Sequence, residues 1–219
     1  MWCIGRITEE YRKRMYGLLH LYSLPYRRRE PVVCIDEKSK QLLQDTRRPV
    51  PPKPGAPAKL DYEYKRAGTC NLFVAVEPKG QRRVVEVTAR RAKPDFVSFV
   101  KTLLEQTYVS ARKVHLVLDN LNTHFRSCFD EVLGRKAAAR LLRRVEFHYT
   151  PKHAGWLNMA EIEIGILDRQ CLDRRLPDQA TMIREVAAWQ RHRNAERRGI
   201  EWTFTRQDAD RKLARHYVS

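Results

Sequence analysis

Three acidic positions carry the chemistry this chain is able to do. Asp36 closes the apolar run Val32–Ile35, and Asp119 closes the run Leu116–Leu118. Both runs are short and apolar, the first rich in β-branched residues, as strands buried on both faces are. Open α/β sheets build their sites at the carboxyl ends of such strands. If the two strands lie parallel and adjacent, Asp36 and Asp119 meet at one edge. Neighbouring carboxylates repel unless a cation neutralises them, so the pair predicts a Mg²⁺ or Mn²⁺ site. Taken singly, each aspartate also fits a loop cap at a strand end.

A third acid from a helix makes the pattern more specific. The segment Thr150–Leu167 offers Glu161 and Glu163. Asn158 is suited to cap a helix there, and Glu161 then stands at its third position, where it also fits a capping box. Two residues along a helix is a rotation of about 200°, so at most one glutamate faces the aspartates. Glu161 is the expected ligand and Glu163 the alternative. Gly165, one turn beyond Glu161, leaves room for a metal or DNA to approach, or serves packing.

Elements must hold these acids. Thr8, Glu9 and Glu10 open a helix carrying Tyr11, Met15, Leu18, Leu19 and Tyr22, ended by Pro25. Alternation over Tyr62–Glu77, the turn Pro78–Gln81 and the run Arg82–Arg90 predict two strands that complete an antiparallel meander with the first. Pro94 starts a helix, which permits a parallel crossover to His115–Asp119. A helical region over Ser127–Arg144, a strand Val145–Tyr149 and a loop Pro151–Trp156 follow. Pro177–Asp178 opens a helix with Met182, Val186 and Trp189 on one face, and Arg191, Arg193, Arg197 and Arg198 suit the dipole at its end. Thr205 and Asp208 cap a last helix reaching Tyr217. The five prolines between Thr46 and Lys59 predict an extended loop without regular structure. The order is that of an α/β protein with a mixed five-stranded sheet, three strands antiparallel and two parallel, flanked by helices. The expected division is a helix and linker over 1–30, a core over 31–176 and a helical extension over 177–219.

Lysine and arginine number 43 against 26 acids, a net charge of +17. The partner this implies is a polyanion, nucleic acid first and an anionic membrane surface second. The five cysteines include no C-x-x-C pair, so reduced, buried thiols are expected. Nor do the histidines join them at zinc-ligand spacings, and no structural zinc is expected. Without a long apolar run or a secretory leader, the chain is expected to be soluble and cytoplasmic.

VVCIDEK, LVLDNLNTH and YTPKHAGWLNMAEIE together resemble the catalytic domain of DDE transposases, specifically the bacterial insertion-sequence branch of the mariner superfamily. The resemblance runs from about Trp2 to the C-terminus. It implies a ribonuclease-H-like fold and two divalent ions, Mg²⁺ or Mn²⁺, held by Asp36, Asp119 and Glu161. Asn120 and His124 match positions beside the second aspartate; His153, Trp156 and Asn158 match the loop before the glutamate. It further implies double-stranded DNA as partner, both transposon ends and target, and a homodimer. Family members usually carry an N-terminal helix-turn-helix region for end recognition. Here the chain starts almost at the catalytic part, as expected of a truncated copy, a split reading frame or an excised piece. Arg47, Arg48, Lys53, Lys65, Arg66 and Lys152 are the expected phosphate contacts, since they flank segments leading to the acids. The rival readings are a nuclease or resolvase on the same fold that only hydrolyses, and an inactive DNA-binding remnant.

Overall fold

The computed structural model of the chain describes residues 6–218 apart from Pro49, Ala58 and Leu60. Trp2 and Cys3 lie outside the described residues. Five strands make one sheet: β1 Val32–Asp45, β2 Tyr64–Glu77, β3 Arg82–Thr88, β4 Val114–Leu118 and β5 Val145–Tyr149. Their spatial order is β3-β2-β1-β4-β5. The first three are antiparallel, β4 runs parallel to β1, and β5 runs parallel to β4. This is the mixed five-stranded sheet expected from the order of elements, in the ribonuclease-H-like arrangement that the resemblance implies.

Among the described residues seven α-helices flank it: α1 Glu9–Ser23, α2 Lys93–Thr102, α3 Ser127–Leu133, α4 Arg135–Leu142, α5 Ala160–Leu167, α6 Gln179–Ala195 and α7 Arg206–Leu213. Val33, Ile35, Phe73, Leu116 and Leu118 share one sheet face and pack on α2, α3 and α4. Cys34, Val76 and Val117 face the other way, against α1 and α7. Leu72 and Val74 lie under α5 and α6. Period-two alternation along each strand therefore sorts the side chains into two cores. The first and last helices belong to the second of these, so residues on both sides of the 31–176 core share its packing.

Local chemistry explains most boundaries. Thr8 accepts from the Tyr11 amide at 3.2 Å and starts α1, which stops at an extended Leu24 before Pro25. Asp178 caps α6 by accepting from Thr181 N at 2.7 Å. Thr205 and Asp208 form the expected capping box. The helical region expected over Ser127–Arg144 holds two helices, separated where Gly134 takes φ +79°.

One expectation changes. Strand β1 does not end at Asp36; it continues to Asp45, since β2 offers ladder partners out to the pair Asp45–Tyr64 while β4 pairs only with Val32–Cys34. A bulge between Gln41 and Leu43, with Gly68 at φ +99°, bends this two-stranded arm. The proline-rich segment forms no strand or helix among its described residues, as expected, and is closed on itself by two isolated bridges. Val50 bridges Lys59 and Lys53 bridges Ala56 around Gly55. The prolines fall between these positions, so each bridge is made by a residue that keeps its N–H.

Both flanks of β3 are tied down. Asn194 of α6 accepts from Arg83 N at 2.8 Å and donates to Arg83 O at 2.9 Å, and Gln190 accepts from Val85 N at 2.6 Å. These amides satisfy an edge strand that would otherwise present free groups. Beneath them Arg83, fully buried, meets Glu163 of α5: Nη2 donates to Oε2 at 3.1 Å, and Nε lies 3.0 Å from Oε1 without hydrogen-bonding alignment. Arg193 Nε donates to the same Oε1 at 3.0 Å. Arg193 is thus a buried partner rather than a cation at a helix end, the reading its place near the terminus of α6 had suggested. The cluster pins α5 to β3 and α6. Removing one partner strands the others' charges, so Glu163→Ala is expected to lower unfolding stability by about 3–5 kcal/mol, read by urea denaturation; an unchanged midpoint would refute the anchor.

Candidate active site

Cys34 pairs with Val117 on the parallel ladder. Two residues further along each strand, the same parity returns Asp36 and Asp119 to the α1–α5 face at one level. Asp119 follows the last residue of β4, and Asp36 lies where β1 has parted from β4. The acids thus sit in the opening between two diverging parallel strands. Helix α5 crosses this opening with Glu161 exposed and Glu163 buried.

Asp36 is 7% exposed. Its Oδ1 accepts from the Glu37 amide at 2.8 Å and its Oδ2 from Asn158 Nδ2 at 3.3 Å. Burial pushes its carboxyl up to about 7; the Glu37 amide works against this, and the charges of Glu161 and Asp119 add to it. Asp119 Oδ1 accepts from Leu121 N at 3.2 Å and from His124 Nδ1 at 2.5 Å. Among the described residues this histidine is the sole ion-pair partner of the three acids. The contrast with Glu163, which meets two arginines, separates the two glutamates. Glu163 is committed to structure. Glu161 stands free beside Gly155, where an added Cβ would come within 3.2 Å of its Oε1.

The set fits a hard divalent cation. All three donors are carboxylates, the most buried of them lacks a cationic partner, and no soft ligand intrudes. Their ligand oxygens do not all lie within 4.8 Å of one another.

The neighbouring residues hold these acids in place. Asn158 is fully buried and does more than cap: besides accepting from Ala160 N at 3.2 Å, it donates to Ile35 O at 2.9 Å and to Asp36. One amide so locks α5 to β1. His124 is also fully buried, its ring centroid 4.5 Å from that of Phe96. Asn120 accepts from Arg14 of α1 at 2.9 Å and donates to Thr150 O. Trp156 stacks on Trp202 with ring centroids 6.3 Å apart and meets Phe204 edge-on. His153 is exposed, at φ +61°, with no hydrogen bond to the acids. Gly165 faces Arg169 at ordinary contact distance, so nothing there requires a glycine.

Sequence reasoning missed Glu37, Arg91 and Arg14. Parity sends Glu37 to the far face, where it pairs with Arg91 at 3.3 Å and points at His124 Nε2 across 3.9 Å. Glu37 Oε2 and His124 Nε2 are both buried without a hydrogen-bond partner. The signal for Glu37 was its place beside Asp36; for Arg14, more than a hundred residues from Asn120, there was none.

The expected phosphate contacts divide. Arg66 and Lys65 pair opposite Leu43 and Gln44, at least about 20 Å along β1 from Asp36 at the usual rise per residue. Arg47, Arg48 and Lys53 lie further out on the arm, Arg47 within 3.4 Å of Asp61. Lys152, exposed in the loop after β5, is the one of the six close in sequence to the acids' loop.

A carboxyl raised in the folded state makes stability fall as pH rises. Below the ordinary 3.8 both states hold the proton; above that value the unfolded chain releases it while the native chain keeps it to about 7. Without metal, Asp36→Asn is therefore expected to be more stable than the parent at pH 8, by about 2–4 kcal/mol, and equal to it near pH 4. Urea melts in EDTA at both pH values check this, and equal stability at pH 8 would count against it.

The profile of the DDE superfamily endonucleases matches residues 31–183. No curated protein matches the chain. Among solved structures, the Mos1 mariner paired-end complex with Mn is 15% identical, with a TM-score of 0.54 over 90% of this chain and 61% of that one. The Mos1 strand-transfer complex is 16% identical, with a TM-score of 0.55 over 86% and 58%. The paired-end complex with Mg is 17% identical, with a TM-score of 0.52 over 90% and 63%. The chain spans about three fifths of those proteins' length, and the likeness is one of fold. With the profile covering most of the chain and the acids at its sheet edge, this chain belongs to the DDE superfamily of endonucleases.

Proposed function

We propose that the chain is the catalytic core of a transposase of the insertion-sequence branch, one that cleaves DNA strands and joins the freed 3′-hydroxyl to a target. The observation that carries this is Asp36, a buried carboxylate with no cationic partner, grouped with Asp119 and Glu161 on a chain of net charge +17. Asp36, Asp119 and Glu161 would hold two divalent ions, Mg²⁺ or Mn²⁺. Such ions act as Lewis acids on the phosphodiester and lower the pKa of a bound water.

The protein's part is positioning. Asn158 fixes the rotamer of Asp36 through one hydrogen bond and ties it to α5. His124 Nδ1 donates to Asp119 Oδ1, which aims the other carboxylate oxygen into the opening. Gly155 keeps the loop clear of Glu161. The DNA backbone lies along the cationic surface, with Lys152 near the scissile phosphate and the arm's Arg47, Arg48, Lys53, Lys65 and Arg66 holding duplex further away. The fuller assembly is a homodimer across two transposon ends.

Nicking and strand transfer on duplex DNA with Mn²⁺ test the reading. Asp36→Asn, Asp119→Asn and Glu161→Gln are each expected to lose about 10³-fold or more in cleavage rate, since loss of a metal ligand removes most of the Lewis-acid contribution. Full activity in any of the three sinks the assignment. Cleavage without joining marks a hydrolase instead. Duplex affinity is expected to fall steeply between 50 and 200 mM salt, with Arg48→Ala and Lys152→Ala each reducing the logarithmic slope by about 1; a flat salt response would remove the electrostatic grip.

A further inference from the structure

A second group of ligand-type side chains lies away from the acids. His115 on β4 and Glu146 and His148 on β5 project from one face of the sheet's edge pair, where His115 pairs with Glu146 and Val117 with His148. Among the described residues they form the one group of three or more whose ligand atoms all lie within 4.8 Å of one another. His115 Nδ1 is 2.9 Å from His148 Nε2. Glu146 Oε2 is 3.8 Å from His115 Nδ1, and its Oε1 is 3.6 Å from His148 Nε2.

We propose that His115, Glu146 and His148 form a Zn²⁺ site that clips the edge strand β5 to β4. Zinc–ligand bonds of about 2.0–2.1 Å in a tetrahedron put ligand atoms about 3.3 Å apart. The two imidazole nitrogens, 2.9 Å apart, fall within about half an ångström of that edge, and one carboxylate oxygen lies within 4.8 Å of both. The carboxylate is too far from either ring for a hydrogen bond, yet at the right distance to share a cation with both. Two imidazoles and one carboxylate are the ligand types of zinc, not of Mg²⁺ or Mn²⁺, which favour all-oxygen sites. Three protein ligands leave a fourth position for water. Lys113 Nζ, 2.7 Å from Glu146 Oε2, supports the carboxylate from outside. The side chains are accessible: Glu146 is 45% exposed, His148 21% and His115 15%.

The site is separate from the acids. His115 lies four residues before Asp119 on the same strand, about 13 Å at the usual rise. Nor does it depend on the transposase reading. A structural consequence follows from its position: β5 pairs on one side only, and a metal cross-link to β4 stiffens the strand that leads into the Thr150–Asn158 loop.

The test uses the whole chain, stripped with chelator and titrated with Zn²⁺ against a chromophoric chelator, with Co²⁺ absorption as a second readout of tetrahedral geometry. One equivalent is expected, with tetrahedral Co²⁺ bands and a rise in melting temperature. His148→Ala and His115→Ala are expected to weaken binding about 100-fold or more. Glu146→Gln, at an exposed position that leaves the fold intact, should weaken it as well, while Asp36→Asn should leave it unchanged. Zinc bound equally by the parent and all three site variants overturns the proposal. So does zinc lost in Asp36→Asn but kept in Glu146→Gln, or no zinc bound at all.

Discussion

Asp36 is kept out of water by the packing around it, and among the described residues no lysine or arginine pairs with it. Among neighbours that include Asp119 and Glu161, it is a charge the fold disfavours. Such a group is costly unless a cation enters or a proton stays. Much of the surrounding structure can be understood as the means of keeping it there: a strand ladder that parts at the right residue, a buried amide that fixes its rotamer, and a helix anchored elsewhere.

That anchor is Glu163. It and Glu161 differ by two positions and about 200° of helix rotation, and the rotation assigns them opposite duties. Glu163 turns inward to Arg83 and Arg193 and contributes rigidity. Glu161 turns to the opening and keeps its charge uncompensated. A buried ion cluster is weak evidence for net stability, but here it holds α5 at a defined angle, and the position of Glu161 follows from that angle. A hydrophobic contact would allow sliding that two directional hydrogen bonds do not.

The positive charge is distributed with the same separation of duties. Arg83, Arg144 and Arg193 are spent inside: Arg144 Nη1 donates to Ala111 O at 2.7 Å and closes the turn before β4. Arg47, Arg48, Lys53, Lys65 and Arg66 stand on or beyond the two-stranded arm that projects past the acids, so this positive charge is extended along an axis rather than gathered beside them. Lys38, close to Asp36 in sequence, is turned to Asp168 at 3.1 Å.

Much of this was legible in the residues themselves. Alternation, capping pairs and proline positions are local, and they placed α1, β2, β3, α6 and the box that starts α7. The two apolar runs ending in acids announced the sheet edge, because buried strands carry that signature wherever they occur. Other features depended on partners distant in the chain. The length of β1 was decided by β2, the burial of Glu163 by Arg83 and Arg193, and the burial of His124 by Phe96. The pairing of His115 with Glu146 and His148 follows from a parallel register that brings strands thirty residues apart to one level. Composition and spacing determine which groups a chain owns and which local shapes it prefers; which of those groups lose their water, and which charges are left facing one another, is set by packing between segments that are remote along the backbone.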